Sequence, residues 1–233
     1  MIRVYKADTR YFTDHGWLQS NFSFSFADHY DPENMNFGPM RVLNDDIIQA
    51  GKGFGAHPHH EMEIVSLVLR GKLRHQDSLG NTAVTGFGQI QRMSAGTGIV
   101  HSEFNPSEDE DMNLLQMWFM PSERGLAPSY ETTDYDPSAM VNRLLPVVSK
   151  EGSPSVAKIH QDMTIYLSKL EAGKEISFTP KDGRRIFLFV LEGAAELDDG
   201  TVLERRDSAR MEEITELTIR SSEGSFVMMI DLP

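Results

Sequence analysis

The chain has 233 residues and a formal net charge of −13 at pH 7, from 22 basic and 35 acidic side chains. This acidity, without any long run of Lys or Arg, argues against direct binding to the phosphate backbone of nucleic acid. The absence of cysteine excludes disulfides, thiolate metal ligands and a cysteine nucleophile. No signal-peptide pattern and no window of about 18 apolar residues is present, so we expect a cytoplasmic protein without a membrane span.

The first 50 residues predict short strands and one loop. Ile2–Tyr5 predicts a strand. Residues 21–27 alternate polar and aromatic side chains, which places three phenylalanines on one face of a half-buried strand and predicts a core role for them. Asp-Pro and Gly-Pro pairs mark residues 28–39 as a loop. Residues 40–51 then predict a strand, a turn at the Asn-Asp-Asp sequence and a second short strand.

Residues 51–120 predict a series of short strands with turns about every 8–12 residues, which is typical of a β-sandwich or barrel. This region contains two pairs of candidate metal ligands, His57 with His59 and His101 with Glu103. In a strand, residues i and i+2 point to the same face. If the two strands are neighbours and that face is turned inward, three imidazoles and one carboxylate converge.

Nitrogen and oxygen ligands without sulfur suit Fe(II), Mn, Co, Ni, Cu or Zn better than Ca or Mg. Four protein ligands on an octahedral ion leave roughly two positions for water, substrate or O2. Spacing alone does not decide between this site and histidines with a structural role. Pro58, between the two histidines, cannot donate to a ladder and predicts a strand start or an edge strand.

The remainder of the chain divides at a segment rich in proline, serine and aspartate. We expect a metal-binding domain over residues 1–125, a linker over 126–155 and a second strand-rich domain over 156–233. A faint internal repeat relates residues 64–71 to residues 186–193. The repeat carries no His or Glu pair into the second domain, which is expected to keep the fold without metal ligands.

Two motifs in the first domain resemble those of the cupins. The first runs from Gly51 through His57 and His59 to Glu63, and the second contains the sequence GTGIVH that ends at His101. More narrowly, the segments HGWLQSNFSFSFADHYDP, RVLNDDII, GFGAHPHHEMEI, HQDSLGN and MSAGTGIVHSEFNPS resemble the pirin family. The resemblance is dense over residues 15–121 and looser in the second domain.

The resemblance implies an all-β bicupin of two antiparallel, jelly-roll-like β-barrel domains, with a metal in the first domain only. The implied ligands are His57, His59, His101 and Glu103, and Fe(II) is the expected ion, with Zn, Mn, Co, Ni and Cu as alternatives. Glu63 has the strand parity of His57 and His59, so we expect it to orient an imidazole.

Bacterial pirins imply a quercetin 2,3-dioxygenase that uses O2 to open a flavonol ring with release of carbon monoxide. Glu103 is then both a ligand and the base that takes the 3-hydroxyl proton. The alternative is a metal-dependent regulatory protein that acts through protein partners, as eukaryotic pirins do. The sequence names no such partner.

Overall fold

The structure is a computed structural model that describes the whole chain, Met1–Pro233. It consists almost entirely of β-strands arranged in two compact units. The N-terminal unit comprises residues Tyr11–Tyr135 and Glu151–Gln161. The C-terminal unit comprises Met1–Arg10, Asp136–Lys150 and Asp162–Pro233.

The chain forms 22 strands and two short 3-10 turns, at Ala7–Thr9 and Pro137–Met140. None of its helical segments is long and apolar enough to cross a membrane. In chain order the strands are β1 (Ile2–Tyr5), β2 (Tyr11–Asp14), β3 (Leu18–Phe22), β4 (Met40–Ile48), β5 (Gly53–His59), β6 (Glu63–Arg70), β7 (Lys72–Asp77), β8 (Thr82–Gly86), β9 (Gln89–Ser94), β10 (Ile99–Phe104), β11 (Met112–Phe119), β12 (Ser129–Asp134), β13 (Leu145–Ser149), β14 (Ala157–Lys158), β15 (Thr164–Leu170), β16 (Lys174–Phe178), β17 (Arg185–Gly193), β18 (Ala195–Leu197), β19 (Val202–Leu203), β20 (Ser208–Glu212), β21 (Leu217–Ser221) and β22 (Ser225–Leu232).

Two antiparallel sheets build the N-terminal unit. The larger has the order β12-β9-β6-β11-β4-β3-β2, and the smaller has the order β5-β10-β7-β8. Apolar side chains of the larger sheet, including Ile48 and Val68, meet Leu73 of the smaller sheet in a buried cluster. The core therefore lies between two sheets. β5 is an edge strand, as Pro58 predicted, because an edge strand tolerates the missing N–H donor.

The C-terminal unit repeats this arrangement. One sheet contains the strand order β1-β20-β17-β22-β15-β13, and a four-stranded sheet has the order β16-β21-β18-β19. Ile186 and Leu188 of β17 pack in one buried cluster with Ile176 of β16 and Ile219 of β21. The predicted all-β bicupin of two antiparallel, jelly-roll-like domains is confirmed. Each domain consists of two sheets, and hydrogen bonds join the neighbouring strands within each sheet.

The expected turn within residues 40–51 is wrong, because β4 runs unbroken from Met40 to Ile48. Its three turn-forming residues are buried and have partners in the neighbouring strands. Asn44 pairs with Gln116, and Asp45 accepts a hydrogen bond of 2.9 Å from the Asn113 amide. The Ser20 hydroxyl donates to Asp46. The backbone pairing of Asn44 and the side-chain hydrogen bonds of Asp45 and Asp46 keep this segment extended.

Two parts of the chain are placed differently from the sequence expectation. Residues 1–10 belong to the C-terminal unit, since β1 pairs with β20 along its whole length. The segment 126–155, which was expected to be a linker, contains β12 paired with β9 and β13 paired with β15. β12 is polar because it is an edge strand, where solvent covers one side, and its composition therefore resembles that of a loop.

Candidate metal centre

Two neighbouring antiparallel strands, β5 and β10, carry the four predicted ligands. His57 and His101 stand opposite each other in register, and their Nε2 atoms are 3.1 Å apart. His59 follows on β5, with its ring centroid 4.9 Å from that of His101. The donor atoms of these three imidazoles lie within 4.8 Å of one another. The structure thus brings three of the four residues together at one point.

Glu103, the fourth residue, is buried on β10 beside this cluster. Its Oε1 accepts a hydrogen bond of 2.7 Å from the Gln91 amide, and its Oε2 accepts one of 2.7 Å from the Gln116 amide. A carboxylate oxygen of Glu103 and donor nitrogens of His101 and of a further histidine, His75, all lie within 4.8 Å of one another. Glu103 is therefore linked to the cluster through His101. A carboxylate oxygen has two acceptor sites, so each retains capacity for another partner.

The close approach of β5 to β10 depends on a glycine. A β-carbon at Gly53 would lie 2.1 Å from the carbonyl oxygen of Glu103 and 2.5 Å from the Cα of Phe104. The register also shifts between His101 and Glu103, since their partners on β5 are His57 and Phe54. β5 therefore has one extra residue at this point, as in a β-bulge. Any side chain at position 53 would force the two strands apart.

The proton on His57 can be placed from its partner. His57 Nδ1 lies 2.7 Å from the carbonyl oxygen of Gly55. Because a carbonyl oxygen only accepts, Nδ1 carries the proton and Nε2 presents its lone pair toward His101. A histidine that donates through one nitrogen and leaves the other free has the arrangement of a metal ligand.

Burial favours the neutral form of two cluster histidines. Burial, with a further effect from neighbouring His57, lowers the pKa of His101 to about 3. Burial, with further effects from His101 and His57, lowers the pKa of His59 to about 4. Both imidazoles are therefore uncharged at neutral pH, which is the form that binds metal ions.

The spacing and chemistry of these donors fit a transition-metal ion. Two nitrogen ligands about 2.1 Å from one ion and about 90–110° apart are separated by roughly 3.0–3.4 Å. The observed separation of 3.1 Å between the Nε2 atoms of His57 and His101 falls in that range. Three imidazoles and a carboxylate, without sulfur, form a donor set for first-row divalent ions.

A cavity of about 460 Å³ opens beside the cluster, within the range of roughly 300–1,000 Å³ that is typical of small-molecule sites. Phe54 lines the cavity and also packs edge-on against Trp17, next to the buried core. The apolar wall consists of Trp17, Leu18, Phe22, Phe26, Phe54 and Trp118. Polar groups come from Ser20, Asn44, Asp46, His57, His59, Glu103 and Gln116, among others.

The three phenylalanines that were predicted to lie in the core, Phe22, Phe24 and Phe26, differ in their surroundings. Phe24 is fully buried, whereas Phe22 and Phe26 line the cavity and meet edge to face at 5.1 Å. β3 ends at Phe22, so the alternation of residues 21–27 continues beyond the strand that it predicted.

Asp46 adds a second buried carboxyl group to the cavity wall, and the sequence did not single it out. Burial raises the pKa of Asp46 to about 7; the nearby charges of Asp45 and Glu103 add to this effect, and the hydrogen bond from Ser20 opposes it. The cavity therefore contains a carboxyl group that exchanges its proton near neutral pH.

In the metal-free protein, Asp46→Asn is expected to change how stability depends on pH. The pKa of Asp46 in the folded protein, about 7, lies above the ordinary value of 3.8. Protonated Asp46 therefore contributes fully to the folding stability of the wild type below about pH 4, and this contribution is lost as the pH rises to about 7. The loss is on the order of 4 kcal/mol, and the variant should not show it. Urea unfolding at pH 4.5 and 8 measures the difference.

The exposed Asp28→Asn serves as the control, since it removes a carboxyl group from the surface of the same unit. It should follow the wild-type pH dependence. Equal pH dependence of the wild type and Asp46→Asn would contradict the raised pKa.

The expectation that Glu63 orients His57 or His59 is wrong. Glu63 accepts hydrogen bonds of 2.9 Å from the Ser94 hydroxyl and of 3.1 Å from the backbone N–H of His160. The backbone turns between β5 and β6, where Glu61 has a positive φ of 50°. Strand parity holds only within one strand, and here it does not extend from β5 to β6.

His75, which was not among the residues predicted for the site, is fully buried and contacts both His101 and Asp77. His75 and Asp77 have the same i, i+2 spacing on β7 that identified the two ligand pairs. The same spacing therefore marks His75 and Asp77, at the start of the segment HQDSLGN, as candidate site residues.

The comparisons with known proteins agree with this geometry. Residues 5–119 match the family model described as Pirin, and residues 146–232 match the one described as Quercetinase C-terminal cupin domain. The chain is 41% identical over 233 residues to a protein of Escherichia coli K12 named quercetin 2,3-dioxygenase, covering 100% of this chain and 99% of the relative.

Solved structures show the same relationship. The bacterial pirin YhhW of Escherichia coli in complex with nickel(II) has a TM-score of 0.94 and 40% identity, covering 100% of this chain and 99% of the other. A quercetin 2,3-dioxygenase of Acinetobacter baumannii has a TM-score of 0.75 at 20% identity, covering 98% of this chain and 85% of the other, and supports the fold alone. From the full-length identity and the matched family models, the chain belongs to the pirin family.

Proposed function

We propose that this protein is a metal-dependent dioxygenase that opens the ring of a flavonol with release of carbon monoxide, in the manner of quercetin 2,3-dioxygenase. The observation that carries the proposal is the convergence of three imidazoles and one buried carboxylate beside an aromatic cavity. The name of the full-length relative at 41% identity supports the same reaction. The expected substrates are a small flavonol-like molecule and O2, and the expected compartment is the cytoplasm.

The proposed ligands are His57, His59, His101 and Glu103, with Fe(II) as the expected ion. A relative has been solved with nickel(II), and the donor set accepts several first-row ions. When bound, the metal would act as a Lewis acid toward the 3-oxygen of the flavonol and would allow electron density to pass to O2.

The cavity wall suits a flat aromatic substrate. Trp17, Phe54 and Trp118 offer ring faces and edges, while Asn44 and Ser20 offer hydrogen bonds. A flavonol that enters this cavity exchanges water for apolar contacts, which favours binding, and the polar groups fix its orientation. Binding also excludes water from the reacting atoms.

Glu103 is the proposed base for the 3-hydroxyl proton. Both of its oxygens accept amide hydrogen bonds, from Gln91 and Gln116, and a carboxylate that also binds a metal is a weak base. Proton transfer therefore requires that the bound flavonol be more acidic than the free one. Asp46, in the same cavity, is a second carboxyl group able to accept that proton.

Turnover of quercetin tests the proposal. Metal-free protein is loaded separately with Fe(II), Mn(II), Co(II), Ni(II), Cu(II) or Zn(II), and O2 uptake and carbon monoxide release are followed together. We expect one carbon monoxide per O2 consumed with at least one ion, and no reaction without metal. No gas exchange with any ion would contradict the proposal. A stoichiometric protein partner recovered without turnover would favour the regulatory alternative.

A further inference from the structure

A second buried histidine lies behind the metal-facing side of His101. β7 is the neighbour of β10 on the side away from β5, and Glu103 stands opposite His75 in that pairing. His75 Nδ1 lies 3.4 Å from His101 Nδ1, and His75 Nε2 lies 2.9 Å from Asp77 Oδ2. The ring of His75 stacks on Tyr130 at 4.1 Å. The side chains of His75 and Asp77 are wholly shielded from solvent.

His101, His75 and Asp77 form a row of hydrogen-bonded side chains. The Asp77 carboxylate at its end determines where the protons lie. Asp77 Oδ1 accepts from the backbone N–H groups of Leu79 and Asn81 and from the Asn81 amide. Its Oδ2 also accepts from the Asn81 amide, at 2.9 Å, and faces His75 Nε2, which therefore carries a proton. With its proton on Nε2, His75 offers Nδ1 as the acceptor, and His101 donates to it through its own Nδ1–H.

This order of donors decides what His101 can do. With its proton on Nδ1, His101 presents the lone pair of Nε2, the atom that lies 3.1 Å from His57 Nε2. If His75 instead carried its proton on Nδ1, that N–H would point at His101 and move the His101 proton to Nε2. An imidazole protonated there cannot bind a metal through that nitrogen.

His57 also presents an unprotonated Nε2, but its Nδ1–H donates to the backbone carbonyl of Gly55 and not to a side chain. A carbonyl is neutral, whereas the row behind His101 ends in a carboxylate. A carboxylate partner raises the basicity of an imidazole and strengthens its bond to a metal. The hydrogen-bond partner of His57 is therefore neutral, whereas the partners of His101 end in a negatively charged carboxylate.

We propose that Asp77 and His75 form a relay that fixes His101 as an Nε2 donor and strengthens its bond to the metal. Both act as positioning residues through His101. The inference rests on the proposed function to the extent that His101 is a ligand. The direction of the hydrogen bonds along the row is a separate property of the metal-free protein.

Asp77→Asn is the sharpest variant because the structure dictates how the amide must lie. The backbone N–H groups of Leu79 and Asn81 both point at Oδ1, so the amide oxygen takes that position and the NH2 group faces His75 Nε2. His75 is then expected to accept at Nε2 and donate through Nδ1, which reverses the relay. His75→Phe removes both nitrogens and retains an aromatic ring against Tyr130. Leu79→Ala is the control, because it changes an exposed side chain of the same turn and keeps the backbone N–H that donates to Asp77.

Two measurements on the full chain test the relay. Long-range 1H–15N correlation spectra of metal-free, 15N-histidine-labelled protein report which nitrogen of His101 carries the proton. Chelator competition gives the affinity for Co(II), and the visible absorption of bound Co(II) reports its ligand geometry. We expect Nδ1–H in the wild type and Nε2–H in Asp77→Asn. Co(II) affinity should fall roughly 10–100-fold in Asp77→Asn and His75→Phe and stay close to wild type in Leu79→Ala.

The relay is overturned if wild-type His101 is protonated at Nε2, or if Asp77→Asn keeps both the wild-type tautomer and the wild-type Co(II) affinity. An equal loss of affinity in Leu79→Ala would assign the effect to the turn and would also overturn it. A wild type with the expected tautomer and no Co(II) binding would overturn the ligand assignment, and with it the proposed function and the metal-strengthening role of the relay. The direction of the hydrogen bonds would stand.

Discussion

His101→Ala is expected to abolish metal binding and flavonol turnover. The substitution removes the imidazole whose Nε2 lies 3.1 Å from that of His57 and leaves His57 and His59 on a single strand. Loss of a ligand should cost more than the roughly 10–100-fold in affinity that is typical of residues supporting a ligand. Metal content after dialysis and O2 uptake with quercetin measure the result, and turnover should fall to that of the metal-free protein.

His60→Ala is the matched control. His60 directly follows His59 on the chain, but its Nδ1 contacts the backbone carbonyl of Thr97, 3.3 Å away, and it lies outside the cluster. This variant should keep its metal and its turnover. Metal retention by His101→Ala at the wild-type level would contradict the ligand assignment.

Glu103→Gln is expected to lose both metal and turnover. The side chains of Gln91 and Gln116 each direct an NH2 group at Glu103, so a glutamine at position 103 must place its own NH2 against one of them. One buried donor is then unsatisfied, which costs about 1–3 kcal/mol of folding stability. The neutral amide also supplies a weaker ligand than a carboxylate. Metal analysis, gas exchange and urea unfolding measure the three effects.

The double variant Glu103→Gln with Gln116→Glu separates hydrogen bonding from ligation. The exchange restores one donor facing one acceptor, so stability should recover toward wild type. The charge, however, then lies at position 116, and metal binding should remain lost. Recovery of metal and turnover in the double variant would show that position 103 has only a hydrogen-bonding role.

Strand periodicity is the part of the site that the sequence revealed most directly. The i, i+2 spacing of His57 with His59 is a local property, and it holds within β5. The neighbouring positions of β5 and β10 are not local, because His57 and His101 are 44 residues apart. The cupin resemblance supplied that information, and spacing alone could not.

The errors arise where tertiary contacts override a local signal. Asn44 and Asp46 favour turns, yet β3 and β11 pair with them and keep β4 extended. Glu63 shares the parity of the ligand strand, yet the left-handed backbone at Glu61 directs it toward Ser94 and His160. Residues 1–10 precede the N-terminal unit in sequence but complete a sheet formed mostly by the last third of the chain. None of these outcomes can be read from neighbouring residues.

The glycine at position 53 has a consequence for ion selection. Since a single methyl group there would push β5 away from β10, the separation of the His57 and His101 nitrogens depends on a residue that supplies no donor atom. Wider separation of the strands would lengthen the gap between these nitrogens and penalise small cations first. If these histidines bind a metal as proposed, a substitution at Gly53 is therefore expected to shift the preference of the site toward larger ions.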